Sequence, residues 1–176
     1  KSLKYKKVPL ILGDCKEVEI EILASQCNVQ FKGISFDYLN MKDSLKTNFI
    51  FSNNEESKLI INEIKIKYNL SNSNIVLCGF SQGCMMSINS GFTSEEEFNC
   101  IVGFSGKIIN KKDLQLRIKN KSKVLLIHGE QDEIVSSNFL LEAKDFFERN
   151  KIYVETNLLK NCGHNIPIEA SSIALK

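Results

Sequence analysis

The sequence predicts an α/β fold: a mostly parallel central sheet with helices on both faces. Three observations carry that expectation. Short apolar runs recur along the chain, amphipathic stretches separate them, and each run closes near Gly, Ser or Asn. Strands buried on both faces of a parallel sheet have this appearance. The alternation implies βαβ units, because parallel neighbours need a crossover long enough to hold a helix.

Five runs rich in Val, Ile, Leu or Phe are the strand candidates: Val8–Leu12, Asn74–Gly79, Ile101–Ser105, Val124–Gly129 and Tyr153–Leu158. Glu17–Ala24 and Gln30–Phe36 alternate only in part and are weaker candidates. Among the helices, Ser52–Tyr68 opens with SNNEES, a cap-like cluster with acids in the first turn. Its Leu59, Ile60, Ile64 and Tyr68 follow helical spacing. Gln82–Phe92 and the shorter Asp113–Ile118 come next. Ser136–Asn150 then gathers Phe139, Leu140, Ala143, Phe146 and Phe147 on one side, and Ile168–Leu175 reads as the last helix. The 176 residues show two prolines, no internal repeat and no linker, so residues 1–176 read as one domain.

Composition narrows the function. A net charge of +2 supplies no strong field for nucleic acid or an anionic membrane. No apolar run approaches the roughly 18 residues of a membrane span, so no integral membrane segment is expected. The apolar stretch after KSLKYKK is ended by Gly13 and Asp14, too soon for a secretory core. Cysteines stand at 15, 27, 78, 84, 100 and 162 without a CxxC pair, and there are two histidines, so zinc spacing is unsupported. Free thiols inside apolar runs act as small hydrophobes and point to a reducing, cytoplasmic setting. Nothing in the pattern sets an oligomeric state.

The chemistry centres on residues 77–86, LCGFSQGCMM. Gly79-Phe80-Ser81-Gln82-Gly83 matches G-x-S-x-G at the join of a predicted strand and a predicted helix, the setting of a nucleophile elbow. Such a serine sits on a sharp turn with its oxygen above the sheet. Glycines two residues to either side let strand and helix approach without a Cβ clash. The following helix aims its positive end at a developing oxyanion.

A serine alone is a poor nucleophile and needs a base, usually a histidine oriented by a carboxylate. After an elbow the chain order is serine, acid, histidine. His128, in VLLIHG, leaves little chain for an intervening acid and reads as a strand-end residue with local hydrogen bonds. His164, in NCGHNIP, follows the last strand and can reach back over the sheet. The acid then falls between them. GEQDEIV offers Glu130, Asp132 and Glu133 just past a strand end, on the rim where open α/β sheets bind ligands. Asp113, Glu142 and Asp145 fall on helices facing solvent. Cys162 reads as incidental to His164. Spacing alone leaves the choice among the loop carboxylates open.

Taken in order, GFSQG, FSGK at 104–107, HGEQDEIV and the late GH resemble the phospholipase/carboxylesterase family of α/β-hydrolases, from about Phe51 to Leu175. That family includes the acyl-protein thioesterases and small bacterial carboxylesterases. Ser35-Phe36-Asp37 also resembles its W-F-D segment, with Ser for Trp. The resemblance implies an α/β-hydrolase fold with Ser81 as nucleophile, Asp132 as acid and His164 as base. Gln82 would donate one oxyanion N–H. It also implies hydrolysis of esters or thioesters without cofactor or metal, on a small-molecule ester or an acylated protein or lipid. The front departs from the pattern. Where the family shows a strand ending H-G-x-G, this chain has VPLILGDC, and Leu12-Gly13-Asp14 resembles an L-G-D variant that makes Leu12 the second donor. Three readings of this loop stand open: residues absent from the sequence, a shortened working loop, or an eroded one. The last would make the protein a catalytically impaired binding module.

Overall fold

The computed structural model describes residues 8–12, 58 and 61–176. The strand candidates Glu17–Ala24 and Gln30–Phe36, most of the front of the Ser52–Tyr68 helix, the 13–15 loop, the 35–37 segment, Cys15 and Cys27 lie outside the described residues. Strands β1 (Val8–Leu12), β2 (Ile75–Phe80), β3 (Cys100–Phe104), β4 (Val124–Gly129) and β5 (Val154–Leu159) form one sheet in that order. Every pairing is parallel. Residues 61–68 are helical. Helices α1 (Gln82–Phe92), α2 (Lys111–Arg117) and α3 (Asn138–Arg149) connect β2 through β5, and α4 (Ile168–Ala174) follows β5.

Sequential strand order dictates where the helices go. Each crossover steps the same way along the sheet, and right-handed crossovers then lay their helices on one face. On that face Ile75, Leu77, Ile101, Val124 and Leu126 pack against Cys84, Ile88 and Phe92 of α1, Leu114 of α2 and Leu140, Ala143, Phe146 and Phe147 of α3. Phe147 centres the layer, with ring centroids 5.2 Å from Phe92 and 5.5 Å from Phe146. Burying one such side chain contributes about 1.5–3 kcal/mol. The opposite face carries the alternate residues of each strand: Val102, Phe104 and Ile127 pack on Ala170 of α4, with Val76, Cys78 and Phe80 half-buried beside them. Helices thus cover both faces: among the described residues α1, α2, α3 and the 61–68 helix, through Ile61 and Ile64, lie on one and α4 on the other.

Element ends moved by a residue or two from the sequence expectations, for local reasons. β2 extends to Phe80 because Phe80 stays in register with Phe104. Ser105 leaves β3, where the sequence placed it, because its φ of 48° turns the chain out of the ladder. α2 starts at Lys111 rather than Asp113, since the Asn110 side chain accepts the Asp113 N–H and caps the helix earlier. Asp113 and Glu142 lie on helix surfaces as expected, paired with Arg117 and Lys111. A parallel sheet puts all strand C-termini on one rim, and the segments after β2, β4 and β5 carry Ser81, Asp132 and His164.

Candidate active site

Ser81 leaves β2 with φ 53° and ψ −115°, a conformation that costs a non-glycine residue about 1–3 kcal/mol. Two features hold it there. Its N–H donates to the Phe104 carbonyl at 2.8 Å, tying the turn to β3. A Cβ on Gly79 would lie 2.1 Å from the backbone C and O of Gly83. Strand and helix therefore meet at a distance that only glycine permits, and the serine between them is forced outward.

The acid is positioned by hydrogen bonds instead. In the turn after β4, Asp132 Oδ1 accepts the Ile134 N–H at 2.9 Å and the Val135 N–H at 2.8 Å. Its Oδ2 accepts the His164 Nδ1–H at 2.8 Å, and the side chain is fully buried. Burial pushes this carboxyl up, but hydrogen bonds from Val135, His164 and Ile134 outweigh it and hold the group below its ordinary range. A charged acceptor at Nδ1 fixes the His164 tautomer, with the hydrogen on Nδ1. Nε2 is left with its lone pair 3.0 Å from Ser81 Oγ. The Phe80 ring lies 4.7 Å from the imidazole and tilts across it, while 18% of the His164 side chain stays exposed.

The two loops carrying Asp132 and His164 are fastened to each other. Glu130 N–H donates to the Leu159 carbonyl and Gln131 N–H to the Cys162 carbonyl, each at 2.9 Å. The Gln131 amide also reaches Asn161 Oδ1 at 3.4 Å. Gly129 lets the backbones come this close, because a Cβ there would lie 2.3 Å from the Cys162 oxygen and 2.4 Å from the Gly163 oxygen.

Of the three loop carboxylates left open by spacing, Asp132 joins His164, while Glu130 and Glu133 are exposed. Gln82 opens α1, so its N–H belongs to the first turn of that helix. Leu12 ends β1 in register with Gly79, and the loop beyond it is outside the described residues. His128 makes the local bond expected of it, donating from Nε2 to the Val135 carbonyl at 2.8 Å. Sequence reasoning missed its second contact, 3.3 Å from Nε2 to Asp132 Oδ2. The H-G-x-x-D spacing at a strand end was the available signal. The Cys162 thiol donates to Asn165 Oδ1 at 3.1 Å. Burial, with Asp132 and Glu169 nearby, pushes it up, so it stays protonated. Among the described residues Cys78, Cys84, Cys100 and Cys162 form no disulfide. Among the described residues no group of three or more His, Cys, Asp or Glu gathers to hold a metal, and no helix is long and apolar enough to cross a membrane.

A hydroxyl on a strained strand-to-helix turn, met from later strand ends by an imidazole and a buried carboxylate, defines the α/β-hydrolase class. The match extends to one family. The phospholipase/carboxylesterase family model matches residues 34–175, and the chain belongs to that family. Relatives include acyl-protein thioesterase 1 of Kluyveromyces lactis, 37% identical over 84 residues, and that of Aspergillus fumigatus, 34% identical over 109 residues. These matches take in 46% and 58% of this chain but 37% and 45% of the relatives, so the chain matches less than half of each relative's length. In fold, the crystal structure of esterase PE8 superposes with a TM-score of 0.82 at 20% identity, covering 97% of this chain and 90% of that one.

Proposed function

We propose that this protein hydrolyses carboxylic esters or thioesters through an acyl-enzyme, with Ser81 as nucleophile, His164 as base and Asp132 as the group that orients and stabilises the imidazole. The single observation that carries the reading is His164 itself. Its Nδ1 bonds a buried carboxylate at 2.8 Å while its Nε2 meets the Ser81 hydroxyl at 3.0 Å. A base within hydrogen-bond reach of its nucleophile and held by a third group is the arrangement that this chemistry needs.

The steps follow from the geometry. Ser81 Oγ attacks the carbonyl carbon as its proton passes to His164 Nε2, and the imidazolium formed is stabilised by Asp132. The carbonyl oxygen becomes an oxyanion, for which the N–H of Gln82 is the proposed donor and that of Leu12 the second. Collapse expels the alcohol or thiol, which takes the proton from His164. Water then attacks the acyl-serine with His164 again as base, releasing the acid and restoring Ser81. No step calls for a cofactor or a metal. Substrates proposed from the family and the named relatives are acyl esters and thioesters, including acylated proteins.

The test is turnover of a panel of p-nitrophenyl esters and acyl thioesters by the wild type and by Ser81→Ala. The expected result is wild-type hydrolysis that falls on the order of 10⁴–10⁶-fold in Ser81→Ala with the fold retained. Unchanged turnover in that variant would overturn the reading. Ligand binding with no turnover across the panel would point to the impaired binding module.

A further inference from the structure

We propose that His128 is a positioning residue for the acid–base pair: its Nε2–H pins the Val135 carbonyl of the acid turn, with the nitrogen against Asp132 Oδ2, and so holds the carboxylate in the orientation that His164 requires. The proposal rests on the hydrolase reading above. His128 is the last residue but one of β4, in register with Leu158, and its side chain is 1% exposed. A carbonyl can only accept, so the 2.8 Å bond to the Val135 oxygen puts a hydrogen on Nε2 in either protonation state. The same nitrogen lies 3.3 Å from Asp132 Oδ2. The hydrogen on Nε2 therefore goes to the backbone of the acid turn, and the nitrogen that carries it lies against the carboxylate.

The acceptor capacity of Asp132 explains why this matters. A carboxylate offers about four lone-pair sites. Oδ1 receives the N–H groups of Ile134 and Val135, and Oδ2 receives His164. With no exposure of the side chain, solvent has no route to the fourth site, and the edge of the His128 ring lies against Oδ2. Three donors, two of them from the turn that His128 pins, fix the plane of the carboxylate, which fixes the angle of the His164 ring toward Ser81. His128 also borders a small cavity lined by Cys84 and Lys107 among others. Cys84 is pushed up to about 12 by burial and stays protonated, and the Lys107 ammonium sits 4.9 Å from the centre of the Phe139 ring. Asp132 is therefore the charged group that lies against Nε2.

The experiment compares His128→Met, which keeps volume without a donor, with His128→Gln, which returns an amide N–H near the position of Nε2. Activity is expressed per serine titrated by a fluorophosphonate, so loss of folded protein does not enter. His128→Met is expected to lose about 10²-fold in kcat at nearly constant KM, with His128→Gln recovering most of it. A per-site kcat for His128→Met close to wild type, or His128→Gln falling as far as His128→Met, would overturn the proposal. If neither variant folds, histidine-ring ¹⁵N spectra of the wild type and of Asp132→Asn decide. The His128 Nε2–H signal must be present and must move in Asp132→Asn, and a ring protonated only at Nδ1 contradicts the assignment. Absence of ester turnover in the wild type sinks the hydrolase reading instead, and the ring spectra still report the His128–Asp132 contact.

Discussion

Ser81 and the Asp132–His164 pair meet within hydrogen-bond distance but are held by opposite means. The serine is placed by backbone contact: a positive φ, and a strand and helix so close that a Cβ at Gly79 would overlap the Gly83 backbone. The pair is placed by polar satisfaction. Its carboxylate is filled with donors, and two loops are tied through Gln131, Cys162, Glu130 and Leu159. Steric placement is rigid and stores strain. Placement by hydrogen bonds is strain-free, but it fails once a donor or acceptor is exchanged.

Substitutions can break that contrast. The largest effect is expected from Asp132→Asn, which preserves size but removes the charged acceptor that fixes the His164 tautomer. kcat on an activated ester should fall by about 10⁴. Next come the two glycines. In Gly79→Ala the new methyl meets backbone that cannot step aside, so the soluble folded yield should collapse. In Gly129→Ala the opposing backbone belongs to a loop, which can move. A folded protein with kcat lower by about 10² and a displaced His164 is the expected outcome, read by kinetics and by thermal melting together. Equal loss of folded protein in both variants would contradict the contrast.

These differences also explain what the sequence made legible. The elbow was readable because its geometry demands particular residue types at fixed spacing: Gly79, Ser81 and Gly83 announce both the turn and its close approach. The parallel sheet was readable from the apolar runs, with ends shifted by a residue or two where, for example, Phe80 kept its register, Ser105 turned out of the ladder or Asn110 capped a helix early. Asp132 was not separable from Glu130 by spacing, because what selects it is two backbone N–H groups presented by a turn whose shape no pattern encodes. Gly129 went unread for the same reason: its partner, the 162–163 backbone, becomes a neighbour only once β4 and β5 pair. His128 was read as a locally bonded strand-end residue, and its approach to Asp132 depends on the shape of that same turn.

Smaller effects sharpen the comparison. Ser81→Gly and Ser81→Ala remove the same hydroxyl, but only glycine relieves the positive φ. Ser81→Gly should unfold at higher denaturant, by about 1 kcal/mol relative to Ser81→Ala. The polar side has a pH signature instead. The Asp132 carboxyl is depressed in the folded state, so its stabilisation is fully present above the ordinary value of 3.8 and is lost as pH falls through the lower folded value. The stability gap between wild type and Asp132→Asn should hold constant above about pH 5 and close below pH 3.8.

The central claim, that Ser81 is an activated nucleophile, is tested most directly by fluorophosphonate labelling followed by peptide mapping, with Ser81→Ala and Asp132→Asn beside the wild type. The account predicts rapid labelling confined to Ser81, strongly slowed in Asp132→Asn and absent in Ser81→Ala. A folded wild-type protein that resists the probe, or one that labels equally fast with Asp132 replaced, would contradict it.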